Sequence, residues 1–317
     1  MTVIAALHLA GIPALIGDFL ITETDRRRPH FQLPTLQDMS KPFGSECPLQ
    51  IAGIRRKCLI VNDRFAVAFT GHVAAGKRVF ARLAERFGSS STGPSLRDLD
   101  DVLQPFNRLF PRRRLAARVI GWTVRSRAVC FSWSAGRGRH VEQSWGLVEG
   151  SGRKSFRESL TEPKVRVRGT PIATAYEGAV LLAVLKTGRV LSDELLTSQN
   201  LEIGYGFGAE AALFSGRKFQ FVRKIGYLFC NIVIEKSGLI TLRPANRAVI
   251  YEAKGKFAVS SFIQFDHDTV QLRSAKRYLA LLPALHDAEV SAHVDEPDFL
   301  CPYYFCGFVV LDARSGN

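Results

Sequence analysis

The sequence predicts an α+β fold in which two β-sheets pack face to face and helices cover their outer surfaces. Three observations lead to this prediction. Strand-like segments open the chain, and two helical segments follow them between residues 73 and 110. Further strand-like segments precede a second pair of helical segments, and residues 219–317 then read as a strand-rich extension. The composition, 46% apolar and 23% charged, is typical of a globular chain.

The chain opens with a predicted hairpin. Residues 3–9 are β-branched and small apolar residues, which are typical of a strand. Residues 11–13 (Gly-Ile-Pro) predict a turn, and residues 14–21 predict a second strand that carries Asp18. Residues 23–50 contain several prolines and predict a long surface loop.

A second hairpin precedes the first helical pair. Its strands are predicted at residues 58–61 and 65–70, its turn at residues 62–63 (Asn-Asp), and Gly71 breaks the second strand.

Two helices are predicted next. In residues 73–87 apolar side chains recur at helical spacing, and Gly88 supplies a C-terminal stop. A second helix is predicted over residues 95–110, with Ser95 as the residue that caps its start.

Strand-like and helical patterns alternate through the rest of the chain. The predicted strands are residues 117–122, 128–133, 141–148, 227–234, 248–251 and 308–311. The predicted helices are residues 173–186, a short piece that starts at residue 192, and residues 274–285.

The chain is strongly basic. Its formal net charge is +14, and much of it lies in short runs at residues 26–28, 55–57 and 112–114. Such runs can bind nucleic acid or another polyanion. No RNA-binding aromatic motif, zinc finger or basic zipper accompanies them, so the favoured interpretation is a solvated face or an interface with an acidic partner. A nucleic-acid partner is therefore not expected.

The six cysteines and seven histidines lack the spacing of metal ligands. The sequence contains no CxxC pair and no HExxH motif, which argues against a structural zinc site and a disulfide scaffold. We expect no metal and no organic cofactor. Scattered cysteines suit a reducing compartment, so we expect a cytoplasmic protein.

The apolar residues 3–16 match a signal peptide only in part. No basic region precedes them, and no small-x-small cleavage site follows. The run is also too short for a membrane helix and contains His8, Gly11 and Pro13. We expect no contact with a membrane. Export is the alternative, and it would remove Thr2 from the mature chain.

Thr2 directly follows the initiator methionine. Removal of Met1 would leave a hydroxyl nucleophile and a free α-amine on the same residue. The α-amine, with a reference pKa of about 8, can take the proton that a histidine takes in other hydrolases. Thr2 is therefore a candidate nucleophile, although small second residues are common in proteins.

Several segments stand in a characteristic order and spacing. They are Thr2 before an apolar strand, residues 18–22 (Asp-Phe-Leu-Ile-Thr), residues 57–63 from Lys57 to Asp63, residues 69–71 (Phe-Thr-Gly) and residues 150–152 (Gly-Ser-Gly). In this order they resemble the proteasome β-subunits and bacterial HslV-type peptidases of the N-terminal-nucleophile hydrolase superfamily. The resemblance covers about residues 2–215 and is strongest before residue 90.

The resemblance implies a fold, an activity and partners. Residues 1–218 would form an αββα four-layer sandwich with threonine-type endopeptidase activity on peptides or unfolded proteins. Residues 219–317 have no counterpart in the family and form a C-terminal extension without an assigned role. Family members assemble into rings, so the resemblance also implies a ring-like homo-oligomer and an ATP-dependent unfoldase as a partner.

The resemblance also implies roles for the matched residues. Thr2 would be the nucleophile, Lys57 would place a positive charge beside its hydroxyl, and Asp18 would hold Lys57 in place. The backbone N–H of Gly71 would stabilise the oxyanion, and Ser151 would support the hydrogen bonds of the nucleophile.

Further residues match the family's substrate-binding positions. Thr22 would pair with the substrate backbone as a strand does. Leu59, Phe69 and Val73 would line an apolar specificity pocket.

One element of the family pattern has no match. The family has a second carboxylate in an Asp-x-x-Ser segment, where residues 203–208 (Ile-Gly-Tyr-Gly-Phe-Gly) place Ile203 and Gly206. This departure and the charge of +14 support an alternative. In that alternative the protein is a catalytically inactive relative, a structural or polyanion-binding subunit.

Overall fold

The computed structural model describes the greater part of the N-terminal two thirds of the chain and five segments beyond it. The described residues are 2–23, 50–109, 117–142, 146–161, 174–197, 204–206, 208–222, 225–234, 240–253, 256–261, 278–282 and 304–310.

The described chain contains strands in greater number than helices. The strands are β1 (Val3–Leu9), β2 (Ile12–Asp18), β3 (Leu20–Glu23), β4 (Gln50–Ile54), β5 (Cys58–Asn62), β6 (Phe65–Thr70), β7 (Arg118–Val124), β8 (Ala128–Ser134), β9 (Gly138–Glu142), β10 (Gly146–Gly150), β11 (Ala209–Phe214), β12 (Phe219–Phe221), β13 (Ile225–Ile234), β14 (Ile240–Ala253), β15 (Lys256–Ser261), β16 (Tyr278–Leu282) and β17 (Tyr304–Val310). The helices are α1 (Val73–Phe87), α2 (Leu96–Leu109), α3 (Arg153–Thr161) and α4 (Ala175–Thr197).

The strands form three five-stranded sheets and one two-stranded ribbon. The first sheet has the order β10-β1-β2-β11-β12, the second β5-β6-β7-β8-β9 and the third β16-β15-β14-β13-β17, while β3 pairs with β4. Neighbouring strands are antiparallel, except that β13 and β17 run parallel. The molecule is therefore a mixed α+β protein with antiparallel sheets, and the predicted α+β class is confirmed.

Strand β6 shows how the second sheet buries both of its faces. All six of its residues are buried, and successive side chains of a strand point to opposite faces. Phe65, Val67 and Phe69 pack with α1 and α2, whereas Ala66 and Ala68 pack toward the first sheet. An almost continuous apolar strand is what a doubly covered sheet requires.

Helices α1 and α2 contact each other, and they lie against the second sheet. The apolar residues Val79 and Leu83 of α1, four positions apart, are both buried in this cluster. The predicted cap of α2 is confirmed, since Ser95 and Asp98 exchange two hydrogen bonds of 2.9 and 3.2 Å between backbone N–H groups and side-chain oxygens.

The first and second sheets share an apolar cluster. Ile4 and Ala6 of β1 meet Ile120 and Trp122 of β7 there. The indole N–H of Trp122 donates to the carbonyl of Ala14 in β2 at 2.9 Å, which joins the two sheets by a buried polar contact. On its other side the first sheet contacts α3 and α4.

Three boundaries differ from the sequence predictions. The second strand of the opening hairpin ends at Asp18, and Leu20–Glu23 pairs with β4 instead. The strand predicted at residues 141–148 is replaced by the two strands β9 and β10. Helix α4 continues to Thr197, so no separate helical piece begins at residue 192.

The extension is rich in strands, as expected, but the helix predicted at residues 274–285 is wrong. Strand β16 lies there, and it pairs with β15 from Tyr278 opposite Ser261 to Leu282 opposite Phe257. A short apolar run does not define its own period, so the available pairing partner decides its conformation. Most of the loop predicted at residues 23–50 lies outside the described residues. None of the helices in the described ranges is long and apolar enough to cross a membrane.

Candidate active site

The first sheet brings Thr2 and Asp18 together. Thr2 lies directly before β1 and Asp18 ends β2, and the antiparallel register sets Ile4 opposite Gly17. Asp18 Oδ1 therefore faces the start of β1, where it accepts the N–H of Val3 at 2.8 Å and the hydroxyl of Thr2. Both Thr2 and Asp18 are almost completely buried, at 2% and 1% exposure.

Lys57 reaches the same carboxylate from the second sheet. It lies immediately before β5, and its carbonyl accepts the N–H of Phe69 at 3.0 Å. Its Nζ donates to Asp18 Oδ1 at 2.7 Å and also to the carbonyl of Leu20. The Lys57 ammonium and the Thr2 hydroxyl thus donate to the same oxygen atom.

Asp18 is the centre of this group of contacts. Its Oδ2 accepts two backbone N–H groups, from Leu20 at 3.2 Å and from Gly206 at 3.1 Å. Its five hydrogen-bond contacts are all with donors, which suits an ionised carboxylate because that group only accepts hydrogen bonds. The N–H donors from three chain segments fix the carboxylate, and the carboxylate fixes Lys57 in turn.

Burial changes the acidity of Lys57. Loss of solvent lowers its pKa from the ordinary value of 10.5, and the charge and hydrogen bond of Asp18 oppose that change. The side chain is 3% exposed in its ion pair with Asp18.

Ser151 contacts the backbone of Thr2. Its hydroxyl accepts the Thr2 N–H at 3.1 Å, and it lies 3.4 Å from the Thr2 carbonyl oxygen, to which Gly152 N–H also donates. Ser151 follows β10, whose last residue, Gly150, lies opposite Val3. Gly150 has a φ of 109°, and a Cβ there would stand 2.0 Å from the Thr2 carbonyl oxygen. Only glycine lets β10 approach Thr2 this closely.

We refer to Thr2, Asp18, Lys57 and Ser151 as the Asp18 cluster. Of the other predicted site residues, Phe69 is joined to this cluster by its N–H, which donates to the carbonyl of Lys57. Gly71 is exposed between β6 and α1, and Thr22 is half-buried in β3 opposite Ile51. Their proposed roles stay predictions.

The three residues predicted to line the specificity pocket lie together at the cluster beneath α1. Phe69 is 2% exposed, and its ring centre is 6.1 Å from that of Phe80. Leu59 and Val73 are partly buried against the same cluster. All three therefore belong to one apolar cluster, and their contact with a substrate stays a prediction.

Sequence reasoning missed the contribution of Gly206. Its N–H binds Asp18, and its carbonyl accepts the N–H groups of Phe19 at 3.3 Å and Leu20 at 3.2 Å. The repeated glycines at 204, 206 and 208 were the available signal, because each has a positive φ that favours glycine. Ile203, at the unmatched family position, lies outside the described residues.

Sequence reasoning also missed a second buried carboxylate. Glu210 accepts Arg56 Nε at 2.8 Å and the backbone N–H of Cys58 at 3.1 Å. Burial raises the pKa of Glu210, and the charge of Arg56 opposes this change. The pKa of the Cys58 thiol is raised well above its usual range, mainly by burial and secondly by the charge of Glu210. We call Arg56, Cys58 and Glu210 the Glu210 cluster. A lone acidic residue within the apolar strand β11 was its sequence signal.

These contacts correct the interpretation of residues 55–57 as part of a solvated basic face. Arg55 and Lys57 are buried, at 7% and 2% exposure, and Arg56 binds Glu210. The other two basic runs lie outside the described residues.

No family model matches the chain, and a search of curated proteins finds no matching relative. Within the described ranges, no group of three or more His, Cys, Asp or Glu residues is arranged to hold a metal ion.

Proposed function

We propose that this protein is a threonine-dependent amidohydrolase of the proteasome-like type that cleaves peptides after removal of Met1. The observation that carries the proposal is the sharing of Asp18 Oδ1 by the Thr2 hydroxyl and the Lys57 ammonium. These residue types in a buried cluster supply a nucleophile, a positive charge and a group that positions both.

The proposed reaction begins with the free amine of Thr2 accepting the hydroxyl proton. Thr2 Oγ1 then attacks the carbonyl carbon of a peptide bond. The charge of Lys57 favours the deprotonated hydroxyl, and the Gly71 N–H would stabilise the oxyanion, as the resemblance implies. The amine returns the proton to the leaving nitrogen as the C–N bond breaks, which leaves an ester on Thr2. A water molecule, deprotonated by the same amine, hydrolyses the ester and frees the acid.

Ser151 supports this chemistry from the backbone side. Its hydroxyl lies 3.1 Å from Thr2 N, within hydrogen-bond reach of the amine that processing would create. While Met1 is attached, that nitrogen is an amide and cannot act as a base.

The proposal includes the αββα sandwich. Its support is the pair of apolar clusters, one between the two sheets and one between the second sheet and α1 and α2, together with the contacts of α3 and α4 to the first sheet. A ring-like homo-oligomer and an ATP-dependent unfoldase as partner accompany the proposal by resemblance alone, and a cytoplasmic location accompanies it from the scattered cysteines.

A second candidate is a non-catalytic subunit of the same fold. The 2% exposure of Thr2 favours it, because a substrate must reach the nucleophile. The net charge of +14 would then serve binding to a polyanion.

Two measurements separate the candidates. Mass spectrometry of the purified protein shows whether Met1 is removed, and retention of Met1 in the native protein excludes the threonine mechanism. A peptide epoxyketone, which reacts with an N-terminal threonine, should label the wild type but not Thr2→Ala. Thr2→Ser is the matched control, since serine keeps both the hydroxyl and the amine. Absence of labelling in processed wild type, with salt-sensitive retention on a polyanion, would favour the non-catalytic subunit.

A further inference from the structure

A pocket of about 260 Å³ opens where the edges of the first and second sheets meet. Strands β7, β8, β9 and β10 and the start of α3 all contribute to its wall. Four arginines line it: Arg118, Arg137, Arg139 and Arg153.

The lining carries a strong excess of positive charge. It contains four arginines and a single carboxylate, that of Glu149. Glu149 binds Arg118, and Asp100 outside the pocket binds Arg139 at 2.9 Å. These contacts compensate two of the four guanidinium groups. Within the described ranges no ion pair is found for Arg137 or Arg153, both at exposed positions, so their charges are the ones that a ligand would meet.

The pocket wall also contains a packed apolar residue. Leu147 of β10 is 7% exposed, so packing sets its position. Ser132 and Ser134 of β8 add hydroxyl groups, two residues apart and therefore on one face of that strand. Trp133 lies between them, and its side chain packs in the cluster with α1 and α2 on the opposite face. A few placed polar groups beside an apolar residue are typical of sites for small ligands.

We propose that this pocket binds a small ligand through an oxyanion group, either a carboxylate or a phosphate. Guanidinium groups bind both with paired, charge-assisted hydrogen bonds. A volume of about 260 Å³ accommodates one such group with a short body. A nucleic-acid strand needs a groove that follows several successive phosphates, whereas a pocket of about 260 Å³ holds only one such group.

The site is distinct from the Asp18 cluster but adjoins it in sequence. Glu149 and Arg153 each lie two residues from Ser151, on either side. The pocket therefore shares with Thr2 the turn that joins β10 to α3. Ligand binding there does not depend on the chemistry of Thr2.

Titration calorimetry on the full chain tests the proposal, with inorganic phosphate and succinate as separate probes in chloride buffer of constant ionic strength. We expect saturable binding of one or both, and the probe that binds identifies the oxyanion. Arg153→Ala and Arg137→Ala should each weaken binding about tenfold, which is the loss of one charge-assisted contact. Arg82→Ala is the matched control, because Arg82 is an exposed arginine of α1 outside the pocket.

Three results would overturn the proposal. They are the absence of saturable binding by either probe, an equal loss in Arg82→Ala, and tighter binding of a single-stranded oligonucleotide that the pocket variants leave unchanged. Circular dichroism identifies a variant that fails to fold. If one of Arg153→Ala and Arg137→Ala does not fold, the binding affinity of the other tests the proposal. Thr2→Ala should bind the probes as the wild type does, so a failure of the threonine mechanism leaves this result intact.

Discussion

Two buried carboxylates, Asp18 and Glu210, lie side by side in the first sheet and have different partners. Strand pairing sets Ala209 opposite Asp18 and Glu210 opposite Gly17, and each carboxylate residue is 1% exposed. Asp18 binds a lysine and a hydroxyl, whereas Glu210 binds an arginine and a backbone amide.

Under the proposed mechanism, the difference separates a reactive arrangement from a supporting one. A guanidinium stays charged and cannot take part in proton transfer, and a backbone amide is not a nucleophile. Lys57, in contrast, has a pKa that burial lowers, and it shares its partner with a hydroxyl. In that proposal Asp18 positions the nucleophile and the lysine, whereas Glu210 joins β11 to Arg56 and Cys58.

Lys57→Ala should have the largest effect. It leaves the Asp18 carboxylate buried without its counter-charge, which typically costs about 3–5 kcal/mol of unfolding free energy. Epoxyketone labelling at Thr2 should also fall about 10²-fold or more, since the positive charge that favours the deprotonated Thr2 hydroxyl is lost. Urea unfolding and the labelling rate measure the two effects. Labelling at the wild-type rate in folded Lys57→Ala would refute the role of Lys57.

Gly150→Ala should rank second. Its Cβ would lie 2.0 Å from the Thr2 carbonyl oxygen at a backbone φ of 109°, so β10 must move away from Thr2. We expect a loss of about 2–4 kcal/mol in unfolding free energy and slower labelling.

Gly17→Ala is the matched control for Gly150→Ala, and Gly17 lies opposite Glu210 in the first sheet. There the new Cβ would meet the Cys58 side chain at 2.8 Å, and a thiol can rotate away more easily than a backbone can move. The loss of unfolding free energy should be smaller than for Gly150→Ala. An equal or larger loss would contradict the close approach of β10 to Thr2.

Glu210→Gln should have a smaller effect that is confined to stability. Arg56 and the Cys58 N–H bind different oxygens of Glu210, and glutamine keeps only one acceptor oxygen, so one donor loses its partner; we expect a loss of about 1–3 kcal/mol at neutral pH from that lost contact. Labelling at Thr2 should keep the wild-type rate. A loss of labelling in the folded variant would show that the two clusters act as one unit.

The sequence allowed the prediction of those parts of the site that depend on local order. Thr2 and Asp18 stand at fixed positions around one hairpin, so the antiparallel pairing of β1 with β2 brings them together. Lys57 precedes a recognisable strand, and Ser151 follows another. The contacts of Lys57 and Ser151 with Asp18 and Thr2 then require only that the first and second sheets pack face to face, which the apolar pattern of their strands predicts.

Contacts that depend on tertiary structure could not be predicted in the same way. Gly206 binds Asp18 through its backbone N–H. Every residue except proline has this group, so the residue type does not indicate the contact. The partner of Glu210 is 154 positions away, and the run containing Arg56 has the composition of an exposed surface. Strand β16 was misread for a similar reason, since its conformation depends on pairing with β15.

The smallest predicted effect is a pH dependence that comes from Glu210. Its pKa in the folded protein is raised above the ordinary value of 4.5, so between these two values the folded state binds more protons than the unfolded state. Stability therefore falls as pH rises through that window, by at most about 1.4 kcal/mol per pH unit. The contribution is constant below pH 4.5, where the carboxyl is protonated in both states.

Glu210→Gln isolates this contribution because glutamine does not titrate. The unfolding free energy of the wild type minus that of Glu210→Gln should decrease as pH rises above 4.5, and it should become constant once Glu210 is ionised in the folded state. Urea unfolding of both proteins over a pH series measures the difference. A difference that increases with pH would mean that Arg56 and the Cys58 N–H outweigh burial. Glu210 would then be a net stabilising anion, and its contrast with Asp18 would rest on the identity of its partners alone.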